Sequence, residues 1–269
     1  MKILANAKIN LTLDIIGKRD DGYHMLQSIF MPIPFFDELE IIPSTKTTLT
    51  CSDKSLETDD NLVLKAARFF FEHTGISSGV QINLNKKIPC GAGLGGGSSD
   101  AAETLLALNR MFETNLDHAT MTSLALRLGA DVPFFISGET ALCEGVGEII
   151  TSLPPLPPAV LALAIPDIHV DTRQAYELVN WQHGTPPSVD TAGAVKALKD
   201  QDLHEFCKRV HNIFEQPICH AHPEIERAKN VFLECGALCA CMTGSGSGVF
   251  ALFEGDVPQI DGTIYTFNI

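Results

Sequence analysis

The sequence predicts an α+β fold, because short strand patterns and longer helix patterns alternate along one chain. Residues 9–15 alternate apolar and polar side chains, as a half-buried strand does, within a strand-like segment that begins at Ile3. Residues 61–73 carry apolar side chains at helical spacing. Residues 80–84 alternate again and lead into a glycine-rich loop. The apolar side of the first predicted helix comprises Leu62, Ala66, Phe69 and Phe70.

The remaining elements follow in chain order after a turn at residues 20–22. Further strands are predicted at residues 38–42, 47–51, 139–150 (a pair), 160–165 and 238–253, the last interrupted by a second glycine-rich turn. Further helices are predicted directly after the first glycine-rich loop, with Ala101, Leu105, Leu108 and Phe112 buried, and at residues 118–128, with Gly129 as the terminating glycine. The proline-rich segment 153–158 is a stiff linker candidate. It divides the chain into predicted domains 1–150 and 151–269.

Composition excludes several functional classes. The formal net charge is −14, with 33 acidic against 19 basic residues, which disfavours general nucleic-acid binding. No apolar run is long enough to span a membrane, and no signal peptide is evident. The eight cysteines form no C-x-x-C pair, and the group at 235, 239 and 241 has the pattern of a buried apolar segment. We therefore expect a cytoplasmic protein that binds neither nucleic acid nor a membrane. We also expect a small-molecule substrate and either a monomer or a weak homodimer.

The most informative segment is the glycine-rich loop at residues 89–102. Five glycines fall within seven positions, and Ser98, Ser99 and Asp100 then open a predicted helix as N-cap types. Free N–H groups and the positive end of a helix dipole together favour a phosphate ligand. The loop lacks the lysine of a Walker A motif, and no second strand follows with the acidic residue of a dinucleotide fold.

Three other segments carry polar residues that each allow a plain structural explanation. Lys8 and Asn10 share one face of a strand, which could be a solvated outer face. Tyr23 and His24 follow a turn and could belong to an ordinary surface loop. Asp131 follows a predicted helix and precedes a proline, so it could be a capping or turn aspartate. Each segment taken alone leaves both interpretations open.

Together, these segments resemble the GHMP kinases, the superfamily that includes galactokinase, homoserine kinase and mevalonate kinase. The matching motifs lie at residues 8–13, 89–102 and 243–250. The match is closer to the branch that phosphorylates a CDP-linked methylerythritol in non-mevalonate isoprenoid biosynthesis, whose patterns occur in order from Ala7 to Glu148. The second half of the chain matches only thinly.

The resemblance implies a two-domain GHMP kinase fold with mixed and antiparallel sheets and an active site in the cleft between an ATP-binding N-terminal and a substrate-binding C-terminal domain. It implies that Asp131 is the catalytic base, assisted by Lys8. Mg²⁺ is expected with ATP, and its ligands are not identified. The residues implied to bind ATP are Asn61, Pro89, Cys90, Gly91, Ala92, Gly93, Leu94, Gly95, Gly96, Gly97, Ser98 and Ser99.

The resemblance also assigns the acceptor site. The residues implied to bind the acceptor are Asn10, Tyr23, His24, Thr172 and Tyr176. Tyr23 and His24 are implied to read the cytosine, and Tyr176 is implied to stack on its other face. Residues 243–248 are expected to pack beside the phosphate loop and to close the site, and Gly248 stands where many relatives carry a larger residue. A homoserine or mevalonate kinase, and a non-catalytic ligand sensor, remain alternatives. A dinucleotide-dependent oxidoreductase is the weakest of them.

Overall fold

The computed structural model describes residues 1–20, 22, 24–179 and 189–269, and these form two compact units. Unit 1 comprises Met1–Ala7, Pro34–Cys90 and Gly95–Gly138, and unit 2 comprises Lys8–Ile33, Gly91–Leu94 and Glu139–Ile269. Because these segments alternate along the chain, a single cut near residue 150 does not separate the two units. The assignment of 1–150 to ATP and of 151–269 to the acceptor stays a prediction.

Two long strands contribute to both units: β1 (Lys2–Lys18) and β2 (His24–Ser44). The sequence predicted most of β1 but only residues 38–42 of β2. The missed part of β2 includes four consecutive buried residues at 28–31. A strand covered on both faces loses the alternation of apolar and polar residues by which strands are detected.

Unit 1 combines a strand group with four helices. The further elements of unit 1 are β3 (Thr48–Cys51), α1 (Leu62–Thr74), β4 (Gly79–Asn85), α2 (Gly96–Met111), α3 (His118–Leu126) and α4 (Val132–Ser137). β4 pairs antiparallel with the end of β2, where Ile82 lies opposite Ile41, and pairs parallel with β3. The strands are therefore paired in both parallel and antiparallel fashion, as predicted for a mixed sheet.

The helices of unit 1 correct three details of the sequence prediction. The buried face of α1 is Val63, Ala66, Ala67 and Phe70. Leu62 and Phe69 are only half-buried, and the Arg127 guanidinium lies 4.0 Å from the Phe69 ring centroid. Helix α3 ends at Leu126 with Arg127 as its C-cap, and Gly129 does not adopt the left-handed conformation of a terminating glycine. Helix α4 was not predicted, since six residues are too few to show a helical period.

Unit 2 contains the antiparallel pair β5 and β6, a separate four-stranded sheet and five helices within the described residues. Its further elements are β5 (Ala141–Gly145), β6 (Ile149–Ser152), β7 (Val160–Ala164), α5 (Thr172–Leu178), α6 (Thr191–Lys199), α7 (Leu203–Cys207), β8 (His211–Asn212), α8 (Glu215–Ala221), α9 (Pro223–Glu234), β9 (Cys239–Met242), β10 (Val249–Phe253) and β11 (Ile264–Asn268). The separate sheet has the order β11-β7-β10-β9, with every pair antiparallel. β8 pairs parallel with β1.

The sheet of unit 2 packs against helices to form an apolar core. Phe214, Ile225 and Phe232 are almost completely buried there, as are Met242 and Ala251 of the sheet. Burial of each large apolar side chain contributes about 1.5–3 kcal/mol. Cys239 and Cys241 are buried on β9, as the sequence predicted for this apolar segment, and the described cysteines are free thiols.

Candidate active site

The glycine-rich loop adopts a backbone that requires glycine. Gly91, Gly93 and Gly95 have φ values of 72°, 73° and 70°, in the left-handed region. Gly95 is the N-cap of α2, and Ser98 and Ser99 lie inside the first turn. The prediction that these serines cap the helix is therefore wrong. The first N–H groups of an α-helix have no carbonyl partner within the helix. The start of α2 therefore offers amides and a positive dipole end to an anion.

The middle of the loop is held by the second glycine-rich turn, Thr243–Gly248. The Gly248 N–H donates to the Ala92 carbonyl at 3.2 Å, and a Cβ on Gly93 would lie 2.1 Å from the Thr243 carbonyl oxygen. The expectation that this turn packs beside the phosphate loop is confirmed. A Cβ on Gly248 would lie 2.7 Å from the Ala92 oxygen, so glycine at this position permits the close approach.

A cavity of about 260 Å³ opens beside the start of α2 in unit 1. It brings together Asn61, Cys90 and Gly97, three of the residues that the sequence assigns to ATP. The Asn61 Oδ1 atom accepts from the Val63 N–H at 2.9 Å, and its Nδ2 donates to the Leu56 carbonyl at 2.9 Å. Asn61 thus caps α1 and fixes the cavity wall. The dimensions suit part of a nucleotide.

Lys8 and Asn10 are buried in unit 2, with exposed fractions of 3% and 2%. This excludes the solvated outer face that the sequence left open. The Lys8 ammonium donates to Asn10 Oδ1 at 2.6 Å and lies 4.8 Å from the Phe30 ring centroid. Asn10 Nδ2 donates to Ser28 Oγ at 2.9 Å, and the Asn10 N–H donates to Thr243 Oγ1 at 2.9 Å. The second glycine-rich turn therefore also anchors the strand that carries the lysine.

Asp131 stands at the N-cap of α4, half-buried, but its side chain makes no capping hydrogen bond. Five α-helices and the short 3-10 helix Lys54–Leu56 in the described chain begin with a side chain that caps them, so the contrast is informative. Those capping residues are Asn61, Asp53, Asp117, Asp171, Asp190 and Asp202. Asp131 therefore does not act as a helix-capping aspartate.

The residues predicted at the cytosine form an aromatic group in unit 2. The His24 and Tyr176 rings are stacked, with centroids 5.1 Å apart and planes 17° apart, and Tyr176 meets Phe214 edge-on at 4.8 Å. Burial, with a smaller contribution from Lys18, lowers the pKa of His24, so the imidazole is neutral at neutral pH. At this spacing the two rings leave no room for a base between them, so the structure does not show the implied arrangement with Tyr176 on the opposite face of the cytosine from His24. The two rings present one shared platform.

Two further residues, Thr172 and Tyr23, were assigned to the acceptor site. The Thr172 hydroxyl lies 3.0 Å from the Ser245 hydroxyl, which joins the start of α5 to the second glycine-rich turn. Tyr23 lies outside the described residues.

A buried charged cluster in unit 1 was missed by the sequence analysis. The Lys86 ammonium contacts Asp37 and donates to Asp100 Oδ2 at 2.8 Å, and the three side chains have exposed fractions of 8%, 0% and 2%. Lys86 and Asp100 also line the 260 Å³ cavity. Burial raises the pKa of Asp100 to about 7, although Lys86 acts in the opposite direction. The cluster is visible only in the folded chain, where β2 pairs with β4 and the Lys86 side chain reaches both Asp37 and Asp100, because its members are far apart in sequence.

The raised pKa of Asp100 predicts that the folded protein loses stability as pH rises. Between about pH 4 and pH 7 the folded state retains a proton that the unfolded state releases, so the free energy of unfolding falls with pH. Between about pH 5.5 and pH 8 the loss should be roughly 2 kcal/mol. Chemical denaturation across this range measures it. Asp100→Asn should flatten the profile, and an unchanged slope in that variant would assign the effect to another group.

Comparisons with known proteins agree with this geometry. Residues 61–139 match the GHMP kinases N terminal domain, and residues 194–260 match the GHMP kinases C terminal family. A protein of Lachnoclostridium phytofermentans named 4-diphosphocytidyl-2-C-methyl-D-erythritol kinase is 43% identical over 258 residues, which cover 94% of this chain and 88% of that protein. A homologue of the same name from Prosthecochloris aestuarii is 40% identical, over 95% of this chain and 90% of its own.

Solved structures show the same relationship. A crystal structure of 4-(cytidine 5'-diphospho)-2C-methyl-D-erythritol kinase matches with a TM-score of 0.80 at 36% identity, covering 95% of this chain and 91% of that chain. The homoserine kinase from Cytophaga hutchinsonii, at 22% identity and a TM-score of 0.75, covers 94% of this chain and 85% of its own, and shares the fold alone.

The chain therefore belongs to the GHMP kinase family and is an ATP-dependent small-molecule kinase. Within that family it groups with the relatives named 4-diphosphocytidyl-2-C-methyl-D-erythritol kinase. The predicted α+β fold with mixed and antiparallel sheets is confirmed. In the part of the chain that the structure describes, no helix combines the length and the apolar character needed to cross a membrane.

Proposed function

We propose that this kinase transfers the γ-phosphoryl group of ATP to the methylerythritol hydroxyl of 4-diphosphocytidyl-2-C-methyl-D-erythritol, giving the 2-phosphate and ADP in non-mevalonate isoprenoid biosynthesis. The observation that carries the proposal is the 43% identity, over 94% of the chain, to a relative of that name. The aromatic platform of His24 and Tyr176 supports it, because the base of a nucleotide-linked acceptor can stack on such a surface.

The donor site in this proposal is the glycine-rich loop, Pro89–Ser99, with Asn61 at the cavity wall. Phosphoryl transfer needs positioned donors around the phosphates more than covalent chemistry from the protein. Mg²⁺ would neutralise charge on the phosphates of ATP, and the hydroxyls of Ser98 and Ser99 in the first turn of α2 would be its candidate protein ligands.

Asp131 serves as the general base in this mechanism. Its carboxylate accepts the proton of the acceptor hydroxyl as that oxygen attacks the γ-phosphorus. The new O–P bond forms while the bond between the γ-phosphorus and the bridging oxygen breaks, and ADP leaves with that oxygen. Asp131 stands at the start of α4 without capping it, so helix capping does not explain an aspartate at this position.

Lys8 supplies positive charge in the same mechanism. We assign to its ammonium the role of balancing charge on the transferring group. The hydrogen bond to Asn10 fixes the direction of the lysine side chain. Asn10 would then position the acceptor, as would Thr172, while Tyr23 and His24 would bind the cytosine together with Tyr176.

The proposal is tested by ADP release from MgATP with three acceptors: the cytidine substrate, mevalonate and homoserine. Turnover with the cytidine substrate alone is the expected result. Turnover with another acceptor would keep the kinase class but overturn the assigned acceptor. No turnover with any of the three, in a folded protein that binds ATP, would favour a ligand sensor.

Tyr176→Ala should raise the KM for the cytidine substrate roughly tenfold or more, since stacking on a base contributes about 1–3 kcal/mol. The KM for ATP should change little. Steady-state kinetics with each substrate varied in turn measures both values. Tyr176→Phe keeps the ring and serves as the matched control, with KM values near wild type. Equal increases for both substrates in Tyr176→Ala would contradict stacking on the cytosine.

A further inference from the structure

The segment that leads from β4 into the phosphate loop is held by the buried side chain of Asp37. Asp37 Oδ1 accepts from the backbone N–H of Ile88 at 2.8 Å and from the N–H of Lys87. Asp37 is fully buried on β2 and also contacts the Lys86 ammonium. Three successive residues just before Pro89 are therefore held by one carboxylate.

The helix that follows the loop is tied to the same lysine. Lys86 Nζ donates to Asp100 Oδ2 at 2.8 Å, and Asp100 lies on the first turns of α2. A Cβ on Gly96 would lie 3.1 Å from Lys86 Nζ and 2.9 Å from Ile88 Cγ2, so lysine and isoleucine pack directly on the first residue of the helix. One ammonium thus connects the chain before the loop to the chain after it.

The loop between these two points is costly to order. Glycine loses more conformational entropy on ordering than any other residue, and five glycines lie between Pro89 and Ser98. A binding loop that is already held in its bound shape avoids that loss when the ligand arrives. Fixing both ends of a short glycine-rich loop is a direct way to achieve this.

Stability alone does not account for the cluster. One buried ammonium faces two buried carboxylates, and the desolvation of such groups offsets their attraction, so apolar side chains of similar size would serve stability as well. Although burial alone would lower it, the pKa of Lys86 is raised by Asp100 and Asp37, so the ammonium stays charged. Lys86 can therefore act as a charged donor to both acidic side chains.

We propose that Lys86 and Asp100 are positioning residues for the nucleotide: their hydrogen bond, with Asp37 behind it, holds the two ends of the phosphate loop at the separation that the ATP phosphates require. The inference rests on the proposed function in one respect, that this loop is the one that binds ATP. It does not depend on which acceptor the kinase uses.

The test compares two variants of Asp100 by calorimetric titration with MgADP. Asp100→Asn keeps an oxygen that can accept from Lys86, whereas Asp100→Leu has a similar volume and no acceptor. We expect Asp100→Asn to bind within about twofold of wild type. Asp100→Leu should bind about tenfold or more weakly, since displacements of about 1 Å at such sites cost up to about 100-fold. Kinetics should show the same split, with a raised KM for ATP and an unchanged KM for the acceptor.

Three outcomes would overturn the inference. The first is an Asp100→Leu protein that melts cooperatively and binds MgADP as tightly as wild type. The second is an equal rise in KM for ATP and for the acceptor, which indicates general loosening of the fold.

If Asp100→Leu does not fold, Lys86→Arg replaces it as the test, because arginine keeps the charge and the donors. Its affinity should lie between those of wild type and Lys86→Met, and equal loss in both lysine variants would overturn the inference. Failure of wild type to bind MgADP would instead overturn the proposed donor site.

Discussion

Asp131→Asn should lower kcat by about 100- to 10,000-fold, the range that a general base contributes. Asparagine has the size of aspartate but cannot accept the proton of the acceptor hydroxyl. The fold should survive, because asparagine keeps the shape of the side chain and one acceptor oxygen. The affinity for MgADP should stay close to wild type. Steady-state ADP release, calorimetric titration and thermal melting measure these three quantities on the same preparation.

Asp117→Asn is the matched control for this experiment. Asp117 caps α3 in the same unit, where its Oδ1 accepts from the Thr120 N–H at 2.8 Å, and asparagine caps a helix equally well. It should show wild-type turnover and stability. If Asp131→Asn turned over at the wild-type rate, Asp131 would lose the role of base, and the acceptor proton would have to leave by another group.

Gly93→Ala should have the second largest effect. The left-handed backbone at Gly93, with φ of 73°, costs an alanine about 1–2 kcal/mol. Its Cβ would also lie 2.1 Å from the Thr243 carbonyl oxygen, a backbone atom that cannot rotate away. The phosphate loop and the second glycine-rich turn must then separate. We expect the free energy of unfolding to fall by at least about 2 kcal/mol and kcat/KM for ATP to fall by about 100-fold or more.

Gly255→Ala provides the control, because a Cβ there meets no atom within 4 Å and the backbone does not have a positive φ. Its unfolding free energy and kinetics should match wild type. Denaturant titration and ATP-dependent kinetics on both variants make the comparison. A Gly93→Ala protein with normal affinity for ATP would show that the loop can bind the nucleotide without its contact to Thr243.

Sequence patterns predicted most elements because their signals are local. The alternation over residues 9–15 and the helical spacing over residues 61–73 correspond to β1 and α1. Most of β2 was missed, since burial on both faces removes the alternation. The N-cap of α2 was misplaced, because capping propensity favours Ser98, whereas the close packing of Lys86 and Ile88 on Gly96 requires glycine where the helix starts.

For the candidate site, too, the sequence supplied the local motifs but not the contacts between distant residues. The glycine-rich loop, Lys8 and Asp131 stand in recognisable motifs, so the family and the residue types for phosphoryl transfer follow from the sequence. The role of Asn61 as a cap for α1 and as the wall of the cavity could not be predicted, because it depends on the Leu56 carbonyl.

What the sequence by itself determined is the family and the α+β class, and it supplied the residues proposed for the chemistry, since these depend on short motifs and local periodicity. Only the tertiary structure decided that Lys8 and Asn10 are buried, that Thr243 lies against Gly93 and that Lys86 joins Asp37 to Asp100. The physical reason is that each of these features joins residues distant in the chain. Burial and electrostatic pairing arise only when strand pairing and helix packing bring such residues together.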